Sequence, residues 1–267
     1  IASRLHVENI NFVIKDALKT ANRGFDDIEY IAVTQGPGLI GSLHIGVMAA
    51  KALAFSLDVP LVPVHHIIGH IYANELSGTM TYPLLALVVS GGHTELVYMP
   101  SEFEFEVIGQ TQDDAVGEAY DKVARQMGLS YPGGPIIDKL AKAGKPHYKL
   151  PEVKLENPLD FSFSGLKSAV RQLMLREERH ERDIILEDLA YAFQESATDE
   201  LLKRVKLAFD TYDIKTLVLA GGVAANSRLR EKISNLTSTY EDLNILIPPL
   251  WACMDQAAMI GLAAKHY

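Results

Sequence analysis

The sequence predicts an α/β protein built in two parts, and three observations lead there. The first third alternates short apolar strands with helices, the pattern switches near Tyr82 to strands joined by a hairpin, and two Gly-Gly segments each follow a strongly apolar strand. Alternation of strand and helix is what a parallel-containing sheet with covering helices requires. At 267 residues the chain exceeds the usual size of one domain, so one large or two modest domains are expected.

Taken in order, Val7, Ile10, Phe12, Val13, Ala17 and Leu18 recur at helical spacing, and Asn22-Arg23-Gly24 ends that helix. A strand is expected over 28–33, a turn at Gln35-Gly36-Pro37-Gly38, and a long apolar helix over 42–57. A short buried strand over 61–64 leads into a helix over 65–76. Leu84 to Val89 and Thr94 to Met99 read as strands joined by Ser90-Gly91-Gly92-His93, a hairpin signal. A third strand follows at 105–108 and a helix at 115–127. The Pro-, Gly- and Lys-rich stretch 131–164 reads as loop with one short helix. Helices over 165–175 and 184–209, a strand over 216–220, a helix from Ser227, a strand over 244–247 and a helix over 255–265 complete the chain. No low-complexity segment or long repeat interrupts it.

Composition narrows the function classes. With 48% hydrophobic and 22% charged residues the chain is ordinary globular protein. Its single Cys253 excludes a disulfide framework and a cysteine-rich zinc site, which points to a reducing, cytoplasmic setting. No contiguous apolar run approaches the ~18 residues of a bilayer span, so no membrane association is expected. The net charge of −9 is opposite to that of a protein that binds nucleic acid unaided, so a polyanionic substrate would need local basic clusters or a partner.

Four segments could carry chemistry. In Val64-His65-His66-Ile67-Ile68-Gly69-His70, His66 and His70 are four apart and share one helix face, where both rings can reach one metal ion or merely pack and cap. A zincin protease would place Glu after the first histidine, and Ile67 stands there. A carboxylate would complete a two-His-one-carboxylate set with open positions. Asp255, at the start of the last helix, is the candidate, with an N-cap role as the alternative. The second segment, Val88 to Thr94, offers glycine amides to phosphate oxygens, or is a tight turn needing positive φ. The third, Leu219 to Ser227, sets two glycines and a helix start after a strand, where amides can meet a ribose or phosphate or serve close packing and a cap. The fourth, Tyr131 to Asp138 with Asp121 upstream, joins a glycine turn to two acids suited to ribose hydroxyls, or is a solvated loop.

Two Gly-Gly loops after apolar strands suggest the two-lobed actin, Hsp70 and sugar-kinase architecture, which holds a nucleotide between lobes. The division expected is 1–79 for the first lobe with the histidine helix, 80–254 for the second lobe with the phosphate hairpin and nucleotide site, and 255–267 for a helix packing back on the first.

Together these segments resemble the tRNA threonylcarbamoyladenosine transferases, formerly described as O-sialoglycoprotein endopeptidases. The matching stretches are Ile1 to Glu8, Thr34 to Leu39, His66 to His70, Ser90 to Thr94, Asp113 to Lys122, Tyr131 to Pro135, Phe161 to Gly165, Ala220 to Asn226, and Asp255 with its helix, all in family order. The resemblance implies that His66, His70 and Asp255 bind one divalent iron or zinc ion. It implies that Val88, Val89, Ser90, Gly91, Gly92, Asp121, Gly134, Asp138 and Asn226 line the site for threonylcarbamoyl-adenylate, whose acyl group goes to N6 of the tRNA adenosine next to the anticodon. No proton acceptor is assigned; His93 is a bare candidate. Implied partners are tRNA, a paralogous subunit of the same fold and a small P-loop ATPase. In the family, archaeal and eukaryotic relatives carry a Tyr just before the Val-Ser-Gly-Gly segment as another metal ligand; Val88 stands here, as in bacterial members, so the resemblance implies no such ligand. The family begins with a strand and hairpin reading I-E-T-S-C-D-E-T, and this chain opens past it, so the N-terminal strands of the first lobe are expected to be absent, with a strand edge prone to pairing. The rival readings are a non-catalytic nucleotide-binding scaffold, a metalloprotease, and a sugar or acetate kinase, the last lacking an Asp where Ser90 stands.

Overall fold

A computed structural model of the chain describes residues 2–152 and 155–267. It divides into two compact units, one running up to Ala73 and resuming at Asp255–Tyr267, the other Asn74–Met254.

The first unit is built on a parallel pair, β1 (Ile31–Gly36) and β2 (Leu61–His65), registered Ile31 with Leu61. Four helices accompany it: α1 (Ala2–Thr20), α2 (Ile40–Leu57), α3 (His66–Tyr72) and α9 (Ala257–Ala264). α1 ends where Asn22 takes a left-handed φ of 53°, a conformation Asn tolerates. β1 lies three residues later than expected. A 3-10 turn at Phe25–Asp27, closed by the Gly24 N–H donating to Asp27 Oδ2, precedes that run, and pairing with β2 sets where the strand begins.

The expectation that no stretch is long and apolar enough for a bilayer is corrected by α2. Its 18 residues reach a mean hydropathy of 1.5, and 11% of them are buried. Gly41, Ser42, His44, Gly46 and Lys51 break the contiguous run without lowering its average. By length and composition this helix qualifies as a span; here it packs on β1, β2 and α1.

The second unit is a mixed five-stranded sheet ordered β5-β4-β3-β6-β7, with β3 (Leu84–Val89), β4 (Thr94–Ser101), β5 (Glu104–Gln110), β6 (Thr216–Ala220) and β7 (Asn244–Leu246). β3 and β4 form the expected antiparallel hairpin, and β3, β6 and β7 run parallel. Every residue of β3 and β6 is buried, as strands covered on both faces must be. Leu85, Leu87 and Val89, on one face by the period-two rule, join the core formed with α4 (Val116–Gln126), α5 (Gly133–Ala141), α6 (Ser164–Arg179), α7 (Leu186–Thr211) and α8 (Ser227–Ser234). Tyr120, Phe161, Phe163 and Phe193 are its bulkiest contributions.

Candidate metal centre and substrate site

β2 delivers the chain directly into α3, so His66 opens the helix and His70 follows one turn later on the same face. Their rings meet edge to face, centroids 4.8 Å apart. Gly69 lets α9 come close: a Cβ there would lie 2.8 Å from the Ile260 side chain. That contact brings the segment before α9 over the histidines. Asp255 Oδ1 stands 3.0 Å from His70 Nε2 and 3.4 Å from His66 Nε2. One ligand atom from each residue falls within 4.8 Å of the others. The hydrogen bonds from His66 and His70 hold the Asp255 carboxyl well below the usual carboxylate range, against the opposing effect of partial burial.

The cap alternative for Asp255 does not hold. Gln256 is the N-cap of α9, its side-chain oxygen accepting from the Met259 N–H. Packing alone does not account for the histidines either, since both Nε2 atoms point at a carboxylate that is largely exposed. His70 is buried, and its Nδ1 has no partner among the described residues, so the ring is held by packing and by Asp255. Two imidazoles and a carboxylate are a donor set suited to iron or zinc, and three protein ligands leave positions open.

In the second unit the remaining candidates gather at the C-terminal ends of two adjacent parallel strands. Val88 of β3 pairs with Ala220 of β6, so the Ser90 hairpin and the Gly221 turn emerge side by side. Gly221, at φ 91°, lies so close to the Val89 carbonyl that no Cβ fits. Gly117 of α4 supports the hairpin from another side. Its N–H donates to the Ser90 carbonyl at 3.2 Å, and a Cβ would lie 2.6 Å from that oxygen. The Thr94 hydroxyl accepts from the Val116 N–H, tying α4 to β4.

Gly91 and Gly92 do not take positive φ, so the strained-turn reading of that pair is not met. A Cβ on either would meet nothing within 4 Å. The Ser90 hydroxyl accepts from the Gly92 and His93 amides, and the Ser90 amide donates to the His93 carbonyl. Val88 and Val89 are fully buried, main chain included, so the expectation that they line the substrate site is not met: both faces of β3 are covered.

Asp121 Oδ1 accepts from the Gly133 N–H at 2.7 Å, holding the start of α5 against α4. A Cβ on Gly133 would collide with Ala124 and the Asp121 backbone, whereas Gly134 faces open space. Asp138 accepts from the Ser227 hydroxyl at 2.8 Å and from its N–H, linking α5 to α8. Asn226 caps α8, its Oδ1 accepting from the Leu229 N–H, while its amide group donates to Gln194 Oε1 at 2.8 Å and towards the Tyr120 hydroxyl at 3.5 Å. Burial, with Asp138 and Glu195 nearby, pushes the Tyr120 phenol well above its ordinary range, so it remains a neutral donor.

A family model described as tRNA N6-adenosine threonylcarbamoyltransferase matches residues 1–262. Proteins of that name from Bacillus anthracis and Staphylococcus haemolyticus are 57% and 54% identical to it, covering 98% and 100% of this chain and 77% and 78% of theirs. This chain belongs to the tRNA N6-adenosine threonylcarbamoyltransferase family. Solved structures agree on the fold. Full-length HypF superimposes with a TM-score of 0.69 at 14% identity, over 96% of this chain and 49% of HypF. The activator of 2-hydroxyisocaproyl-CoA dehydratase from Clostridium difficile gives 0.52 at 14%, over 96% and 79%. The α/β fold is of the actin, Hsp70 and sugar-kinase kind.

Within this threonylcarbamoyltransferase, several residues that build the candidate sites gave little sequence signal. Gln194 and Gly117 sit inside helices, and Gln194 is one of several buried polar residues of α7, among them Thr198, Glu200 and Arg204, so nothing singles it out. Gly69 was quoted with the histidines but its close approach to α9 required the fold.

Proposed function

We propose that this transferase draws its acyl group from threonylcarbamoyl-adenylate and uses one divalent iron or zinc ion held by His66, His70 and Asp255. The chain is a tRNA N6-adenosine threonylcarbamoyltransferase, and tRNA is its acceptor substrate. The exocyclic amine of adenine is a weak nucleophile because its lone pair delocalises into the ring. An acyl adenylate meets that difficulty: N6 attacks the carbonyl carbon, the C–O bond to phosphate breaks, AMP departs with the electron pair, and N6 gives up one proton.

A bound divalent ion supplies Lewis-acid polarisation and orientation of the acyl oxygens. The chain's own residues do the rest. The Gly91 amide of the Ser90 to Gly92 hairpin would donate to the phosphate, and Gly117 and Gly221 keep that hairpin in register from two sides. Asp121, Gly134, Asp138 and Asn226 would hold the nucleoside; Asp138 and Asn226 are pre-set by their bonds to Ser227, Gln194 and Leu229. The acceptor adenosine is proposed to be the one next to the anticodon, with a paralogous same-fold subunit and a small P-loop ATPase as cytoplasmic partners.

The convergence of His66, His70 and Asp255 from two separate elements carries this reading. Among the rivals, a protease lacks its Glu at Ile67, and a kinase lacks its Asp at Ser90. Metal analysis of the purified protein, with transfer of labelled threonylcarbamoyl from the adenylate to tRNA, tests it. Stoichiometric metal and chelator-sensitive transfer are expected; a metal-free, fully active protein would refute the ion's role.

A further inference from the structure

The segment between β7 and α9 exposes three large apolar side chains within five consecutive residues: Leu250 at 62%, Trp251 at 61% and Met254 at 62%. Scattered exposed hydrophobics need no explanation. This group differs because its backbone is pinned. Leu250–Ala252 forms a 3-10 turn, closed by the Ala252 N–H on the Pro249 carbonyl, and Ala252 and Cys253 are buried beneath it. One guanidinium nitrogen of Arg230 donates to both the Pro248 carbonyl at 3.0 Å and the Ala224 carbonyl at 3.1 Å. The turn is thereby strapped to the Gly221–Asn226 segment. Met254 leans on that segment as well, its Sδ 3.2 Å from where a Cβ on Gly222 would stand.

We infer that Trp251, flanked by Leu250 and Met254, is a stacking platform for an unpaired base of the tRNA substrate. This rests on the proposed function, and specifically on tRNA as acceptor. A reaction at N6 of an adenosine requires the base to be splayed from its neighbours, and unstacked RNA bases are captured on aromatic faces. A rigid indole with an aliphatic and a thioether border offers such a face. Three side chains of roughly 150–250 Å² at most fall short of the ~800 Å² that each side of a stable protein interface buries, which favours a base over a protein partner. Position agrees: the platform adjoins the glycine turn leading to Asn226, and the next residue in the sequence after Met254 is Asp255.

The chain contains one tryptophan, so tryptophan emission, excited where tyrosine does not absorb, reports on this site alone. The full chain is titrated with an anticodon stem-loop RNA and with a fully paired RNA of equal length. Saturable quenching by the stem-loop and none by the duplex is expected. Trp251→Ala should weaken stem-loop binding roughly 5- to 150-fold, the range of one base–aromatic stack, with an unchanged salt slope because no phosphate contact is lost. Trp251→Phe should restore most of the affinity. Because the side chain is exposed, the melting temperature of both variants should match the parent. Wild-type stem-loop affinity in Trp251→Ala, or equal quenching by duplex and loop, would overturn the inference while leaving tRNA as substrate. Emission that shifts with protein concentration in the absence of RNA would assign the platform to a protein contact and overturn it too. Failure of the parent chain to bind either RNA would overturn the tRNA reading itself and the inference with it.

Discussion

Asn226 is held at three points: its oxygen caps α8 and its amide nitrogen donates to Gln194 and towards Tyr120, leaving one lone pair of the oxygen for a ligand. The amide therefore has one orientation, set by a cap on one side and a buried acceptor on the other. Gln194→Leu should leave the Asn226 amide short of an acceptor and cost about 1–3 kcal/mol, read as a lowered melting temperature. Adenylate affinity should fall with it, because Asn226 loses its fixed orientation. Unchanged stability and nucleotide binding would show that the Gln194 bond holds nothing in place. At the metal centre, His70→Ala should abolish stoichiometric metal binding, measured by elemental analysis. A modest stability loss is also expected, since a buried ring is removed. Retained metal in that variant would remove His70 from the ligand set.

At the scale of elements, α4, which supports the hairpin through Gly117, is tied to α6 by a salt-bridge cluster. Asp114 precedes α4 and bonds Lys122 at 2.5 Å and Lys167 at 2.7 Å, so α4 and α6 share one carboxylate. Burial pushes its carboxyl up, but the hydrogen bonds and charges of the two ammoniums outweigh that and hold it below the ordinary value. With the folded value depressed, the stabilisation is fully present above the unfolded value near ~3.9. It is lost as pH falls through the folded value. Lys167→Met should accordingly lower the melting temperature most at neutral pH, the gap to the parent narrowing below about pH 4. A gap independent of pH would mean that the lysine acts through packing alone. Gly117→Ala should cost about 1–3 kcal/mol as an overpacked contact, displacing the Ser90 carbonyl and weakening adenylate binding; wild-type affinity in a nucleotide titration would argue against a supporting role.

Most elements could be read from periodicity because their apolar faces are regular: β3 and β6 are buried throughout, and α4 keeps its apolar stripe. Boundaries set by pairing or capping were less legible. β1 starts where Leu61 pairs it, and α9 starts at Ala257 because the side chain of Gln256, not that of Asp255, caps it. The histidine spacing in α3 was plain in the sequence; that Asp255 completes the set depends on the α3–α9 contact at Gly69, which no local pattern encodes. The apolar length of α2 is masked in the sequence because small and polar residues interrupt it at intervals.

For the whole molecule the governing tension is charge. A net charge of −9 opposes association with tRNA, so binding must draw on a local basic surface or on a partner. Lys139, Lys142, Lys145, His147 and Lys149 are exposed on α5 and the segment after it, while Lys154 lies outside the described residues. A groove of about 740 Å³ adjoins them, lined by Tyr148, Lys149, Tyr191, Lys203 and Lys206 among others. Acids also line it, but most are held from within. Glu195 is bound by Arg228 and Lys232, Asp199 by Lys232, and Glu200 by Arg204. Burial raises the Glu195 carboxyl, yet Arg228 and Lys232 draw it below its usual value, so it stays charged and paired. The lysines thus face outward with much of the opposing charge already neutralised. We propose that this surface meets tRNA phosphates. Each phosphate neutralised contributes about 0.7–0.9 to the slope of log affinity against log salt. The double reversal Lys142→Glu and Lys145→Glu should weaken tRNA binding and flatten that slope by roughly 1.4–1.8 if both lysines make one contact. Lys142 also lies 3.9 Å from Asp138, a distance too long to hold it at 63% exposure, so its loss should leave the fold intact. An unchanged affinity and slope in the double variant would place the tRNA backbone on another face of the protein.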